Sequence, residues 1–319
     1  MSEVENPIDT VVRLLSKNMQ VVREDGSLAS IVVSREWVDR ELFKNVDGQI
    51  TVGLAESHDT KMEISGRLRR RLGTLRVNVW SQDLLTRQKI VEEVNRIVRQ
   101  NRNKPNETLY DFRGVGQATG THKAYHAGSA TELAPQQTGW NEFSDVEYEK
   151  AWYSDDNRYS KSHNVNGEYP LMLFRFKIES REKTIKKIVL AFEGYGMAPA
   201  GNGVTIKVWN HEAQQWQDAV SGTGGADETL TITLTLNIVN FVDANGCVWL
   251  LARTTNPSNG STAAIIYCDY VSCTVTVNGI TYLDVISFRD VDRVDVKPLI
   301  YRTEFQLKSW SFEDIGGVF

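Results

Sequence analysis

The sequence predicts an α+β protein in which a small α/β domain is interrupted by an inserted all-β sandwich. Three observations carry that expectation. Residues 1–116 mix two amphipathic helical stretches with alternating strands. Residues 169–279 contain only strand-like runs, parted by Gly, Asn and Pro turns. Residues 280–319 then return to the composition of the first segment. The domains expected are therefore 1–116 joined with 280–319, and the insert 169–279, reached through a linker or long loop at 117–168.

The first helix is signalled by "NPIDTVVRLLSKN". Asn6 can cap it, Pro7 suits the first helical position, and Asp9 favours the positive helix start. Ile8, Val11, Val12 and Leu15 then recur at helical spacing. "SIVVSRE" (30–36) and "GQITVGLAES" (48–57) read as strands. In "TLRVNVWS" (74–81), Leu75, Val77 and Val79 alternate with Arg76, Asn78 and Trp80, so the strand has one apolar and one polar face. "SQDLLTRQKIVEEVNRIVRQN" (81–101) is the strongest helix, capped by Ser81 or Asp83, with Ile90, Val91, Val94, Ile97 and Val98 on one side. "TLYDFRGVG" (108–116) returns to strand.

Residues 117–168 are rich in Gly, Thr, Ala and Gln without a clear period, hence the linker expectation. Six strands are expected in the insert, and "SGTGGADE" (221–228) reads as a loop tip. The pattern is of jelly-roll or galactose-binding-like type. Two further strands, at 279–295 and 298–312, complete the first domain. In the second of these, Ile300, Arg302, Glu304, Gln306 and Lys308 share one face.

Composition narrows the function classes. With 36 Lys and Arg against 41 Asp and Glu, the net charge is −5, so the chain as a whole is no general polyanion binder. Charge is nevertheless uneven: residues 1–116 carry 19 basic and 17 acidic side chains, and residues 117–280 carry 12 and 17. The N-terminal "MSEVENPIDT" lacks the apolar core of a secretory signal, and no run of 18 apolar residues exists. Assembly in a cytoplasm and no membrane partner are the expectations. Cys247, Cys268 and Cys273 are too few for a disulfide framework and are expected as small buried apolar groups.

No phosphate-binding loop, nucleophile elbow or HExxH helix is present, and neither enzymatic activity nor a cofactor is expected. His122 and His126 are four apart but in a Gly- and Thr-rich stretch, which favours a solvated loop over a metal pair. Asp155, Asp156 and Asn157 offer oxygen ligands of the kind calcium uses, without the spacing of an EF-hand, against the plainer reading of a polar turn. Trp209, Trp216 and Trp249 are candidates for stacking sugars, or else core and hairpin packing.

The densest charge is "RLRRRLG", with Arg67, Arg69, Arg70 and Arg71, followed by Arg76. In an extended chain Arg67, Arg69 and Arg71 share one face, and Leu68, Arg70 and Leu72 the other. Three readings stay open: an interface with a subunit or partner, phosphate contact with DNA, or a solvated hairpin paired to Glu56, Asp59 or Glu63.

Taken as one piece, helix 1, the strand "TLRVNVWS", the helix "DLLTRQKIVEEVNRIV", and the late strands "ISFRDV" and "LIYRTEFQLKSW" resemble the tail-terminator and tail-completion (neck) proteins of long-tailed viruses of bacteria and archaea. The resemblance covers residues 5–116 and 280–315. It implies a structural virion protein at the head–tail junction or tail end, forming a homo-oligomeric ring, commonly a hexamer. That ring would join neck, head-completion or portal-side proteins to the tail tube protein. Genomic DNA would pass through the lumen without sequence readout. Arg67, Arg69, Arg70, Arg71, Arg76 and Arg302 would then face an interface or the lumen, and the sandwich would project outward as decoration or contact module. The alternative is a carbohydrate-binding or adhesion protein whose sandwich is the working part.

Overall fold

The computed structural model describes residues 3–62, 68–118, 120–292 and 300–314. The chain divides into two compact units, one of residues 3–108 with 277–319 and one of residues 109–276.

In the first unit, α1 (Pro7–Asn18) starts where the Asn6 side chain accepts the Ile8 N–H at 2.9 Å. It buries Ile8, Val11, Leu14 and Leu15. Strand β1 (Ile31–Arg35) and the single turn α2 (Arg40–Phe43) lead into β2 (Gly48–Lys61) and β3 (Leu68–Ser81), a long antiparallel pair. A Cβ on Gly48 would lie 2.4 Å from Ile90 Cδ1, so a larger residue at the start of this strand would require the Ile90 side chain of the following helix to shift. That helix, α3 (Leu84–Gln100), is capped by Asp83, whose carboxylate accepts the Thr86 N–H at 2.6 Å. After the second unit the chain returns as β15 (Ile280–Asp290) and β16 (Tyr301–Asp314).

These strands form one sheet in the order β1-β2-β3-β16-β15. The β1–β2 pair is parallel and the other pairs are antiparallel. Ile50, Val52, Leu75, Val77, Val79, Phe305 and Leu307 project to the face that packs on α1 and α3, and all are fully buried. A buried pair ties α1 down: Arg13 donates to both Glu5 carboxylate oxygens, at 2.5 and 2.7 Å, and to Thr108 Oγ1 at 3.0 Å. β3 runs back through the arginine stretch to Leu68, six residues earlier than the alternation of residues 74–81 alone predicts.

The second unit is a β-sandwich. Its strands are β4 (Glu107–Asp111), β5 (Lys123–Ser129), β6 (Asn141–Glu142), β7 (Tyr159–His163), β8 (Tyr169–Lys177), β9 (Ile185–Met197), β10 (Val204–Asn210), β11 (Gln215–Ser221), β12 (Glu228–Leu234), β13 (Cys247–Thr254) and β14 (Ala264–Val277). One sheet runs β11-β10-β13-β8-β5-β6, and the other runs β12-β9-β14-β4 with β7 also on β14. Between the sheets lie Phe174, Phe176, Ile206, Val208, Val248 and Leu250 from the first and Ile188, Leu190 and Phe192 from the second, all fully buried. The ring centroids of Phe174 and Phe192 are 6.1 Å apart. Cys247, Cys268 and Cys273 are free and buried. Burial pushes the Cys268 and Cys273 thiols well above their ordinary range.

Two expectations are corrected here. Residues 117–168 are no linker: they supply β5, β6, the short helix α4 (Asp145–Glu149) and β7. β5 is an interior strand that turns Ala124 and His126 inward, while Ala127 packs with Leu171 and Leu251 on the outer face, so the alternation lacks the usual large apolar markers. "QWQDAVS", which carried no strand signal, forms the edge strand β11. Among the described residues, no helix is long and apolar enough to cross a membrane.

Candidate functional site

The face of the first unit's sheet opposite the helices is polar. By register Gln49 and Thr51 on β2, Arg76, Asn78 and Trp80 on β3, Arg302, Glu304 and Gln306 on β16, and Ser287 and Arg289 on β15 all share it. Its centre is Glu304, only 7% exposed, on which three arginines converge. Arg302 Nη2 is 2.8 Å away, and Arg76 and Arg289 are each at 3.6 Å. Arg302 also donates to Asn78 Oδ1 at 2.8 and 3.1 Å, and its guanidinium lies 4.9 Å from the Trp80 ring centre. One carboxylate therefore holds three guanidinium groups, leaving a positive surplus on a sheet face. Farther along, Arg70 and Lys308 sit over Trp310 at 5.9 and 5.3 Å.

At its far end the sheet continues as an arm of β2, β3 and β16. Residues 54–61 of β2 are exposed throughout. Leu54 (48%), Met62 (46%) and Phe312 (43%) are large apolar side chains left open here. Ile286 and Phe288, on the outer strand β15, are exposed to a similar extent. The arginine run lies in this arm. Arg71 forms a two-point contact with Asp59, at 2.8 and 3.2 Å, and holds that carboxyl below its usual range. Arg71 and Leu75 fall on the helix side of the sheet, and Arg70, Leu72 and Arg76 on the other, as alternation requires. Arg67 and Glu63 lie outside the described residues. Sequence reasoning missed Arg289 and the central role of Glu304. The alternation of 300–308 placed Glu304 beside Arg302 on one face, but only strand order brings Arg76 and Arg289 to it.

In the sandwich, the three tryptophans share the outer face of the six-stranded sheet, by the pairs Trp209↔Trp216, Lys207↔Leu251 and Trp249↔Arg175. Trp209 is not free to stack a ligand: it is 4% exposed and set edge-on against Trp216 at 5.0 Å. Trp216 donates its ring N–H to the Leu133 carbonyl at 3.1 Å, so the loop before β6 covers this part of the face. Glu132 on the same loop takes ion pairs from Lys207 (2.8 Å) and Arg253 (2.7 Å). Trp249 is half-buried, with Tyr125 stacked near it at 6.4 Å and Arg175 5.8 Å from its ring centre.

The histidine expectation is also corrected. His122 is buried among Tyr110, Phe112 and Phe176, and its Nδ1 accepts the Lys177 N–H at 3.0 Å. His126 packs against Phe143 and Tyr159, and burial lowers its pKa. These are packing residues, which a Gly-rich context concealed.

Of Asp155, Asp156 and Asn157, only Asp156 enters an ion-binding constellation. The Asp155 side chain instead accepts the Asn157 N–H at 3.1 Å, which is the polar-turn reading. Asp156 meets Asp227, at the turn before β12, and Asp269, on β14, with one ligand oxygen from each within 4.8 Å of the others. Arg158 binds Asp227 through Nε at 2.8 and 3.0 Å and also pairs with Asp156. Asp269 is 1% exposed. Desolvation raises its pKa, and the charges of Glu193 and Asp227 act in the same direction. β9 and β14 approach closely here, since a Cβ on Gly194 would lie 2.1 Å from the Tyr267 carbonyl oxygen.

Comparison with known proteins adds the following. A family model described as "uncharacterized protein, C-terminal domain" matches residues 119–277. No curated protein matches the chain. Among solved structures, a xylan-binding module (CBM15) is similar at 13% identity and a TM-score of 0.29, covering 54% of this chain and 98% of the module. The enzymatically active domain of tailspike protein 4 from bacteriophage CBA120 is similar at 9% identity and a TM-score of 0.24, covering 53% of this chain and 19% of that one. A family 16 carbohydrate-binding module is similar at 12% identity and a TM-score of 0.23, covering 34% and 77%. Scores this low carry no argument about ligand or role.

Proposed function

We propose that the protein is a structural, non-enzymatic component of a long-tailed virion, a tail-completion-like ring protein whose α/β unit makes the ring and whose sandwich decorates it. The observation that carries this reading is the arm: β2, β3 and β16 continue beyond the helix-covered core and present Leu54, Met62 and Phe312 to solvent. A lone subunit gains nothing from an apolar, arginine-bearing extension, whereas a neighbour's surface would bury it. Head-to-tail contacts of this kind close into a ring when the rotation between subunits allows. The arginines around Glu304 supply a second surface, suited to acidic patches on neck or tube proteins, or to the backbone of DNA in the lumen. In this reading the protein acts in the virion after assembly in the host cytoplasm.

The test is assembly of the full chain, alone and with the tail tube protein of the same virus. Closed rings by electron microscopy are expected from the wild type. Leu54→Ser with Phe312→Ser is expected to leave the circular dichroism spectrum unchanged and to abolish the rings. Rings that persist in this variant would remove the arm from the interface.

A second reading, carbohydrate binding by the sandwich, is favoured by one observation. Trp249, Tyr125 and Arg175 form a half-exposed aromatic and cationic platform beside the part of the sheet that the loop covers. Glycan-array binding that is lost in Trp249→Ala would support it, and a silent array would dismiss it.

A further inference from the structure

We propose that the sandwich binds one calcium-type divalent cation between Asp156, Asp227 and Asp269. The three residues come from a loop, a turn and a strand interior, 71 and 42 positions apart in sequence, so the convergence is a product of the fold. Their ligand oxygens lie within 4.8 Å of one another. That is about twice the 2.3–2.6 Å calcium–oxygen distance, the greatest separation two ligands of one calcium ion can have.

A second observation, independent of the clustering, points to a ligand. Asp269 is 1% exposed, and its Oδ1 is buried without any hydrogen-bond partner. Buried carboxylate oxygens are ordinarily satisfied, and an orphan at the centre of an acidic group calls for a cation. Asp269 alternates with Ile266 and Cys268 on β14, which face the core, so its side chain stands on the outer face of its sheet. Glu193, on the neighbouring strand β9, adds a fourth carboxylate that acts on Asp269. Arg158 is the cation present, and its contacts go to Asp227 and Asp156. The Asp156 backbone N–H and the Arg158 charge also act on Asp269, yet its Oδ1 keeps no hydrogen-bond partner.

The ligand chemistry selects the ion class. All three donors are carboxylate oxygens, which suit hard cations rather than zinc or copper. Two of the three ligands come from a loop and a turn, which fits the flexible coordination of calcium better than the strict octahedron of magnesium. The proposal is independent of the ring reading, because the site lies wholly within the sandwich.

The experiment uses the full chain, stripped with EDTA and titrated with calcium chloride by calorimetry. One site per chain and a rise in melting temperature are expected, with a much weaker response to magnesium. Asp269→Asn keeps the shape of the side chain and is expected to reduce affinity at least tenfold. Should that variant fail to fold, terbium bound to the wild type gives a variant-free readout. Tyr195 lies 5.8 Å from the Arg158 guanidinium and can sensitise terbium emission, which calcium should displace. Absence of both calcium heat and terbium emission in the wild type would overturn the proposal. Undiminished binding by folded Asp269→Asn would overturn it equally.

Discussion

Glu304→Gln tests the polar sheet face most sharply, because it removes a charge while keeping the side chain's shape. In the wild type the 2.8 Å contact joins a 7% exposed carboxylate to Arg302, which is 24% exposed. A charge-assisted hydrogen bond in such a setting contributes about 1.5–3 kcal/mol. Arg76 and Arg289, at 3.6 Å and 52% and 73% exposed, are screened by water. Each of these adds about 0.2–1 kcal/mol at most. The substitution should therefore destabilise the sheet by about 2–5 kcal/mol, most of it through Arg302, which would stay beside Asn78 and Trp80 without its counter-charge. Because the chain has two units, a global melt would mix their transitions. Amide hydrogen exchange on peptides spanning 75–80 and 302–307 isolates the right one. Protection there should fall about 30-fold or more, since about 1.4 kcal/mol is a factor of ten. Arg289→Gln, as a control, should change it by no more than about fivefold. A fall of under threefold in Glu304→Gln would refute the reasoning, for the three arginines would then not depend on that carboxylate.

Two further outcomes are expected. Glu5→Gln leaves the Arg13 guanidinium buried with its carboxylate partner gone, and should cost the first unit about 3–5 kcal/mol in chemical denaturation. Asp83→Ala removes the α3 cap and should cost about 1 kcal/mol. The Thr86 N–H holds the Asp83 carboxyl below its ordinary pKa. That contribution is therefore complete above the ordinary carboxylate value and disappears as pH falls through the lowered one, so wild type and Asp83→Ala should converge in stability in acid.

Much of the α/β unit could be read from local signals. Asn6 and Asp83 marked the helix starts, and Leu75, Val77 and Val79 marked the buried face of β3. The split of the arginine run between two faces followed from alternation alone. What escaped the sequence was mostly long-range. Glu304 gains Arg76 and Arg289 only because β16 lies between β3 and β15, and Asp156 meets Asp269 only when a loop folds over β14. The rest was local but disguised: β5 turns only Ala124 and His126 inward, β11 is a polar edge, and His122 is a core residue set in a Gly-rich stretch. Trp209 stands on the outer face of its strand and is nonetheless buried, because alternation gives direction and says nothing of what covers the face.

The central claim is ring assembly, and the solution mass of the full chain tests it most directly. Multi-angle light scattering should give a closed multiple of the 36.1 kDa subunit, alone or once tail tube protein is added, with a hexamer at about 217 kDa. A mass that stays at 36.1 kDa at every concentration, with tail tube protein present, would contradict it.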